Sequence, residues 1–141
     1  MSRTLLGVAL AAVLALPGCA NTPADDAAGP GEGGPRPATA ADLTGGSWYP
    51  ADGTAQGRAF AEFAADGSWN GSDGCNGQSG TWELADDGAF TGTTGMSTLI
   101  GCENVPFGYW IDDAVRAETD DGDLVLHPAA GEPVRLVREL P

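Results

Sequence analysis

Asp-Gly steps at Asp52, Asp66, Asp73, Asp87 and Asp121 punctuate the chain from Leu43 to Arg138, and this spacing leaves room for little but short strands. Aspartate can bond its own local backbone, and the glycine after it adopts positive φ without steric cost, so each step suits a tight hairpin turn. Between the turns lie runs of alternating or aromatic-rich character. Leu43–Tyr49, Ala59–Ala64, Ser68–Gly71, Gly80–Leu84, Ala89–Gly92, Leu124–His127 and Val134–Arg138 each read as a strand. Short strands and Gly-rich turns predict a mainly β domain, an antiparallel sheet that curls into a small barrel or sandwich.

One interval breaks the pattern. Phe107, Trp110, Ile111, Ala114 and Val115 fall at i, i+3, i+4, i+7 and i+8, the apolar stripe of a helix, while Asp112, Asp113 and Arg116 take its other face. Pro106 suits the first turn, where a missing N–H is harmless. An amphipathic helix over Val105–Ala117 is therefore expected to pack across one side or end of the sheet, with Phe107 and Trp110 in the core.

The N-terminus has a different character. Arg3 precedes a Leu/Ala/Val run from Leu5 to Leu16 and then Pro17-Gly18-Cys19, the layout of a leader with a small-residue cleavage site. The run is short for a membrane span. Leu16-Pro17-Gly18-Cys19 resembles the bacterial lipobox, which implies diacylglycerol on the sulfur of Cys19 and a lipid anchor on the extracytoplasmic side of a bacterial membrane; Pro17 departs from the usual pattern. Ala20–Ala41 holds no aromatic and no long aliphatic residue, so it reads as a tether with an r.m.s. span of roughly 25 Å. The expected organisation is a signal peptide at 1–18, a lipidated cysteine and disordered tether at 19–41, and one folded domain at 42–141.

Charge narrows the partners. Six arginines, no lysine and 20 acidic residues give a net charge of −14, which argues against nucleic acid, whose binding depends on cations neutralising phosphates. With Cys19 set aside, Cys75 and Cys102 remain of three cysteines. They can pair only with each other, as the oxidising space outside a membrane favours.

Those two cysteines lie in the most specific segments of the chain, Ser72-Asp73-Gly74-Cys75-Asn76-Gly77-Gln78-Ser79-Gly80-Thr81-Trp82 and Ser97-Thr98-Leu99-Ile100-Gly101-Cys102. The first resembles the Asp-Gly-Cys-Asn-x-x-x-Gly-x-Tyr/Trp signature of the META domain family, known from HslJ-like bacterial heat-shock proteins and related lipoproteins. The second is similar to the Thr-x-Met-x-Cys segment that follows it, with Ile100 in place of Met and Gly101 in place of Ala. Asp73, Gly74, Cys75, Asn76, Gly80, Trp82, Thr98 and Cys102 carry the match. The resemblance spans Leu43 to Arg138, taking in Leu43-x-Gly45-x-x-Trp48, Phe60, Phe63 and the closing Leu124-x-Leu126 and Leu136. It implies a small antiparallel, partly open β-barrel with one helix before the last strands, and a stress-linked envelope role without a known reaction.

Catalytic readings find little support. His127 is the single histidine and has neither a nucleophile nor further metal ligands beside it in sequence. Gly77-Gln78-Ser79-Gly80 lacks the spacing of a nucleophile elbow, and Cys75 and Cys102 are not a Cys-x-x-Cys redox pair. Asp120-Asp121-Gly122-Asp123 misses the terminal glutamate of a calcium loop and reads as a hairpin turn; Asn70-Gly71-Ser72 also reads as a turn. Neither metal nor cofactor is expected. The leading expectation is a monomeric, non-enzymatic, lipid-anchored envelope protein that binds a partner protein or a small apolar ligand. Any cavity within the barrel would be lined by Trp48, Phe60, Trp69, Trp82 and Phe90. Alternatives are a protease inhibitor presenting the loop Gly92–Gly101 and, below it, an undetected hydrolase.

Overall fold

The computed structural model describes residues 34–139; the expected leader, Cys19 and most of the expected tether lie outside the described residues. In chain order the elements are β1 (Arg36–Pro37), α1 (Ala40–Leu43), β2 (Ser47–Pro50), β3 (Ala59–Phe63), β4 (Ser68–Asp73), β5 (Gly77–Leu84), β6 (Phe90–Thr94), α2 (Phe107–Asp113), β7 (Ala114–Asp120), β8 (Asp123–Pro128) and β9 (Val134–Val137). The strands form one sheet in the order β1-β7-β8-β9-β2-β3-β4-β5-β6, with every pairing antiparallel.

Two meanders, β2–β6 and β7–β9, meet at β2. Ser47 and Trp48 pair with Glu62 and Ala61 on β3, whereas Tyr49 and Pro50 pair with Val137 and Leu136 on β9. Curling then brings β6 round to β7, where Ala89 bridges Arg116 and Ala117 N donates to Gly88 O at 2.9 Å. The outcome is the mainly β, curled half-barrel with a helix before its last strands. All five Asp-Gly steps join consecutive strands and hold their glycine at positive φ. At the β7–β8 turn Asp121 has φ 52° and Gly122 φ 90°, the pairing that a two-residue type I′ hairpin needs.

Inward-facing residues fill the curl. Ala61, Phe63, Trp69, Trp82, Phe90, Leu124, Leu126 and Leu136 are buried, and Phe107 and Ile111 of α2 close over them. Phe63 meets Trp82 and Phe90 edge-on, with centroids 5.8 and 6.3 Å apart, a favoured geometry for aromatic pairs. Each buried indole N–H reaches a carbonyl: Trp48 to Leu43 O at 3.0 Å, Trp69 to Thr93 O at 2.8 Å and Trp82 to Ser68 O at 2.9 Å.

Five expectations need correction. Residues 36–41, expected to belong to a tether, are ordered instead: Arg36 and Pro37 pair with Thr119 and Glu118, and Ala38 is buried at the seam beside β7. Thr39 and Asp42 then form a capping box that starts α1, so Leu43 closes a helix instead of opening a strand. Arg36 and the Thr39 hydroxyl and N–H also bond the Asp42 carboxylate, and Arg36 above all holds it far below the usual carboxylate range.

The helix expected over Val105–Ala117 spans only Phe107–Asp113, and Ala114 begins β7. A bulge between Ala114 and Arg116 explains the misreading. It keeps Ala114, Ala117 and Thr119 all inward, so the i, i+3 spacing of a helix continues by accident into a strand. Phe60 lies on the outer face of β3, between inward Ala59 and Ala61. Asn70-Gly71-Ser72 lies within β4 and is not a turn.

Candidate functional site

The motif Asp73-Gly74-Cys75-Asn76 forms the β4–β5 hairpin end. Asp73 is buried, and its Oδ1 accepts from Cys75 N at 2.8 Å and Asn76 N at 2.6 Å. Gly74 has φ 96°, and a Cβ there would collide with the Ala55 side chain and lie 3.0 Å from Gly57 O. Glycine is required at that point both by conformation and by space. The hairpin is also stitched to the β2–β3 loop, since Gly57 N donates to Gly74 O at 2.7 Å.

Asn76 uses its amide as a short piece of strand. Its Oδ1 accepts from Ile100 N at 2.6 Å, while its Nδ2 donates to Ile100 O at 3.3 Å and to Asp73 Oδ2 at 3.2 Å. Beside it Cys75 is bonded to Cys102, with Cα atoms 6.3 Å apart, within the range disulfides span. Further along the loop, Gln56 N donates to Glu103 O at 2.8 Å and Val105 N to Asp73 O at 3.0 Å. The segment joining β6 to α2 is thus fixed at Ile100, Cys102, Glu103 and Val105. Met96 and Leu99 touch little of the protein and are 96% and 95% exposed.

Between this loop, the ends of β4–β6 and the first turn of α2 lies a cleft of about 560 Å³, whose lining includes Asn76, Gln78, Thr94, Leu99, Tyr109 and Asp112. Thr94 Oγ1 donates to Gly108 O at 3.0 Å, tying α2 to the floor. Gln78 Oε1 is buried there without a hydrogen-bond partner among the described residues. Tyr109 and Ile100, 73% and 62% exposed, stand on the rim with Leu99.

The structure divides the residues singled out from sequence. Asp73, Gly74, Cys75, Asn76 and Cys102 come together as the loop clamp. Gly80 and Trp82 belong to the barrel wall: a Cβ on Gly80 would overlap Thr93 O and sit 2.6 Å from Trp69 Nε1, in the path of that indole's hydrogen bond. Thr98 lines the cleft, and its carbonyl accepts from Ser97 Oγ at 3.0 Å. Trp48, Trp69, Trp82 and Phe90, named as the lining of any barrel cavity, pack as solid core and do not line the cleft, and Phe60 faces outward; the cleft lies at the end of the barrel.

His127 Nε2 lies 3.0 Å from Glu118 Oε2 across the β7–β8 pair. Asp120 and Asp123 both pair with Arg135, at 2.6 and 2.9 Å, as flanks of a hairpin. Among the described residues no cluster of three His, Cys, Asp or Glu gathers to hold a metal ion. Sequence reasoning missed Gln78, Thr94, Tyr109 and Asp112. For Tyr109 and Asp112 the signal was their place off the apolar stripe of α2; Gln78 and Thr94 carried none.

The model of the META domain family matches residues 41–140. No curated protein and no solved structure matches the chain.

Proposed function

The chain belongs to the META domain family, and from that premise we propose that it is a non-enzymatic, lipid-anchored envelope module that binds a partner through the cleft at the barrel end. The observation that carries this reading is the placement of exposed apolar side chains. Met96, Leu99, Ile100 and Tyr109 gather on the loop and helix that form the cleft, and Val115 is the one other large hydrophobic exposed among the described residues. Apolar side chains concentrated on a rigidly held edge mark an interaction surface. The anchor rests on the sequence around Cys19, and an intact mass of the native protein carrying diacylglycerol at that residue supports it; an unmodified Cys19 overturns it.

The binding reading is tested by placing a photo-crosslinking residue at Leu99 or at Val115 and irradiating cells that carry the full chain in their envelope. A discrete adduct from position 99 and none from 115 is expected. Equal adducts, or none from 99, would overturn it. The exposed loop, pinned at Ile100 and Cys102, also favours the inhibitor reading in one respect, because a protease inhibitor offers a braced loop. Recovery of a protease as the position-99 adduct would select that reading.

A further inference from the structure

The polar lining of the cleft is one-sided. Its charged residues are Asp73 and Asp112, and no arginine lines it. Asp73 is already engaged by the N–H groups of Cys75 and Asn76 and by the Asn76 amide. Asp112 is exposed, and its carboxylate makes no hydrogen bond or ion pair with the described residues. Gln78 Oε1 is buried beneath the cleft against Gly108 and offers no surface to an occupant, which leaves the Asp112 carboxylate as the free charged acceptor.

The described arginines are all occupied elsewhere. Arg36 holds Asp42, Arg116 holds Glu118, Arg135 holds Asp120 and Asp123, and Arg138 and Arg58 lie over the rings of Trp48 and Tyr49. Among the described residues, none supplies a cation to this cleft. Around the Asp112 carboxylate stand Leu99, Ile100 and Tyr109, which offer apolar surface and an aromatic face. An occupant that satisfies both features carries a strong donor between apolar flanks, and a chain of net charge −14 draws such a cation from a distance.

We propose, building on the binding reading above, that the cleft receives a basic peptide segment of the partner protein: a lysine or arginine seated beside Asp112, with apolar neighbours resting on Leu99, Ile100 and Tyr109. The probe is a labelled pentapeptide alternating leucine with lysine, compared with its glutamine and glutamate counterparts by fluorescence anisotropy on the full chain. The lysine peptide is expected to bind at least about tenfold more tightly than the glutamine peptide. Asp112→Asn and Leu99→Ser should each weaken it by about fivefold, the scale of one exposed contact. Asp86→Asn, which removes the same charge from the exposed β5–β6 turn, should leave it unchanged.

Equal weakening by Asp86→Asn and Asp112→Asn would reduce the effect to overall charge and overturn the proposal. Glutamine or glutamate peptides that bind as tightly, and still depend on Leu99, would overturn the basic class while keeping the cleft as a binding face. Binding by any of the three that ignores Leu99→Ser, or no binding at all, would sink both. Asp112 and Leu99 are exposed, and unchanged melting temperatures in both variants would establish that the fold is intact.

Discussion

Replacing Asn76 tests the clamp on which the cleft depends. Asn76→Ala removes two hydrogen bonds to the Ile100 backbone, worth about 1 kcal/mol each, and one to the Asp73 carboxylate, worth about 1.5–3 kcal/mol. Ile100 is well exposed, so water replaces part of the first two. The expected loss is about 2–3 kcal/mol. Asn76→Asp keeps an acceptor for Ile100 N but sets a second carboxylate where Nδ2 now lies 3.2 Å from Asp73 Oδ2. Two like charges about 4 Å apart at an effective dielectric near 20 repel by on the order of 4 kcal/mol. The aspartate variant should therefore be less stable than the alanine variant at pH 7, and should regain ground as acid lets the two carboxylates share a proton. Urea denaturation at pH 7 and pH 4 reads the order of stabilities, and amide exchange at Ile100 reads the clamp itself. An aspartate variant at least as stable as alanine at pH 7, or an Ile100 amide equally protected in Asn76→Ala and the parent, would refute the reasoning.

Two further perturbations probe the restraints around the domain. The Cys75–Cys102 bond spans a sequence separation of 27, which corresponds to about 3.5 kcal/mol in the chain-entropy account; thermal unfolding should show similar losses for Cys75→Ser and Cys102→Ser with little added in the double variant, and additive losses would contradict the pairing. Asp42 is held far below the usual carboxylate range, chiefly by Arg36, so its stabilisation is complete above the unfolded pKa near 4 and disappears as pH falls toward its lower folded value. Asp42→Asn should accordingly destabilise the protein at pH 7 by a margin that shrinks below about pH 4, measured as the difference in urea midpoints; a margin that stays constant or widens in acid would show that the charge is not responsible.

How far the sequence discloses this architecture depends on the range of the forces involved. Turns are local, and each Asp-Gly step marks one because aspartate and glycine act within a few residues. The meanders follow from those turns. The seam between β1 and β7 is not local: Ala38 finds its place against residues about 80 positions away, and its small side chain gives no hydrophobic signal. The bulge in β7 misleads for a related reason. Period is read on the assumption of regular structure, and an extra residue between Ala114 and Arg116 turns strand alternation into apparent helical spacing. The Thr39-x-x-Asp42 capping box was legible as a pattern, but the surrounding Ala/Gly/Pro composition obscured it.

The candidate site was half legible for a deeper reason. Signature residues such as Asp73, Gly74 and Asn76 are tied to one another by short-range geometry, so their identities announce the loop they build. Leu99 and Met96 are constrained by nothing inside the fold. Burying a leucine is worth roughly 1.5–3 kcal/mol, yet the clamp fixes the loop at Ile100 and Cys102 so that Leu99 stays in water. Those restraints would serve stability equally well with serine at position 99. A loop braced at this cost in chain freedom, with its largest apolar side chains turned outward, makes physical sense when another molecule completes the burial. On that ground Leu99→Ser should leave the melting temperature unchanged and act only on binding, whereas Asn76→Ala should act on both.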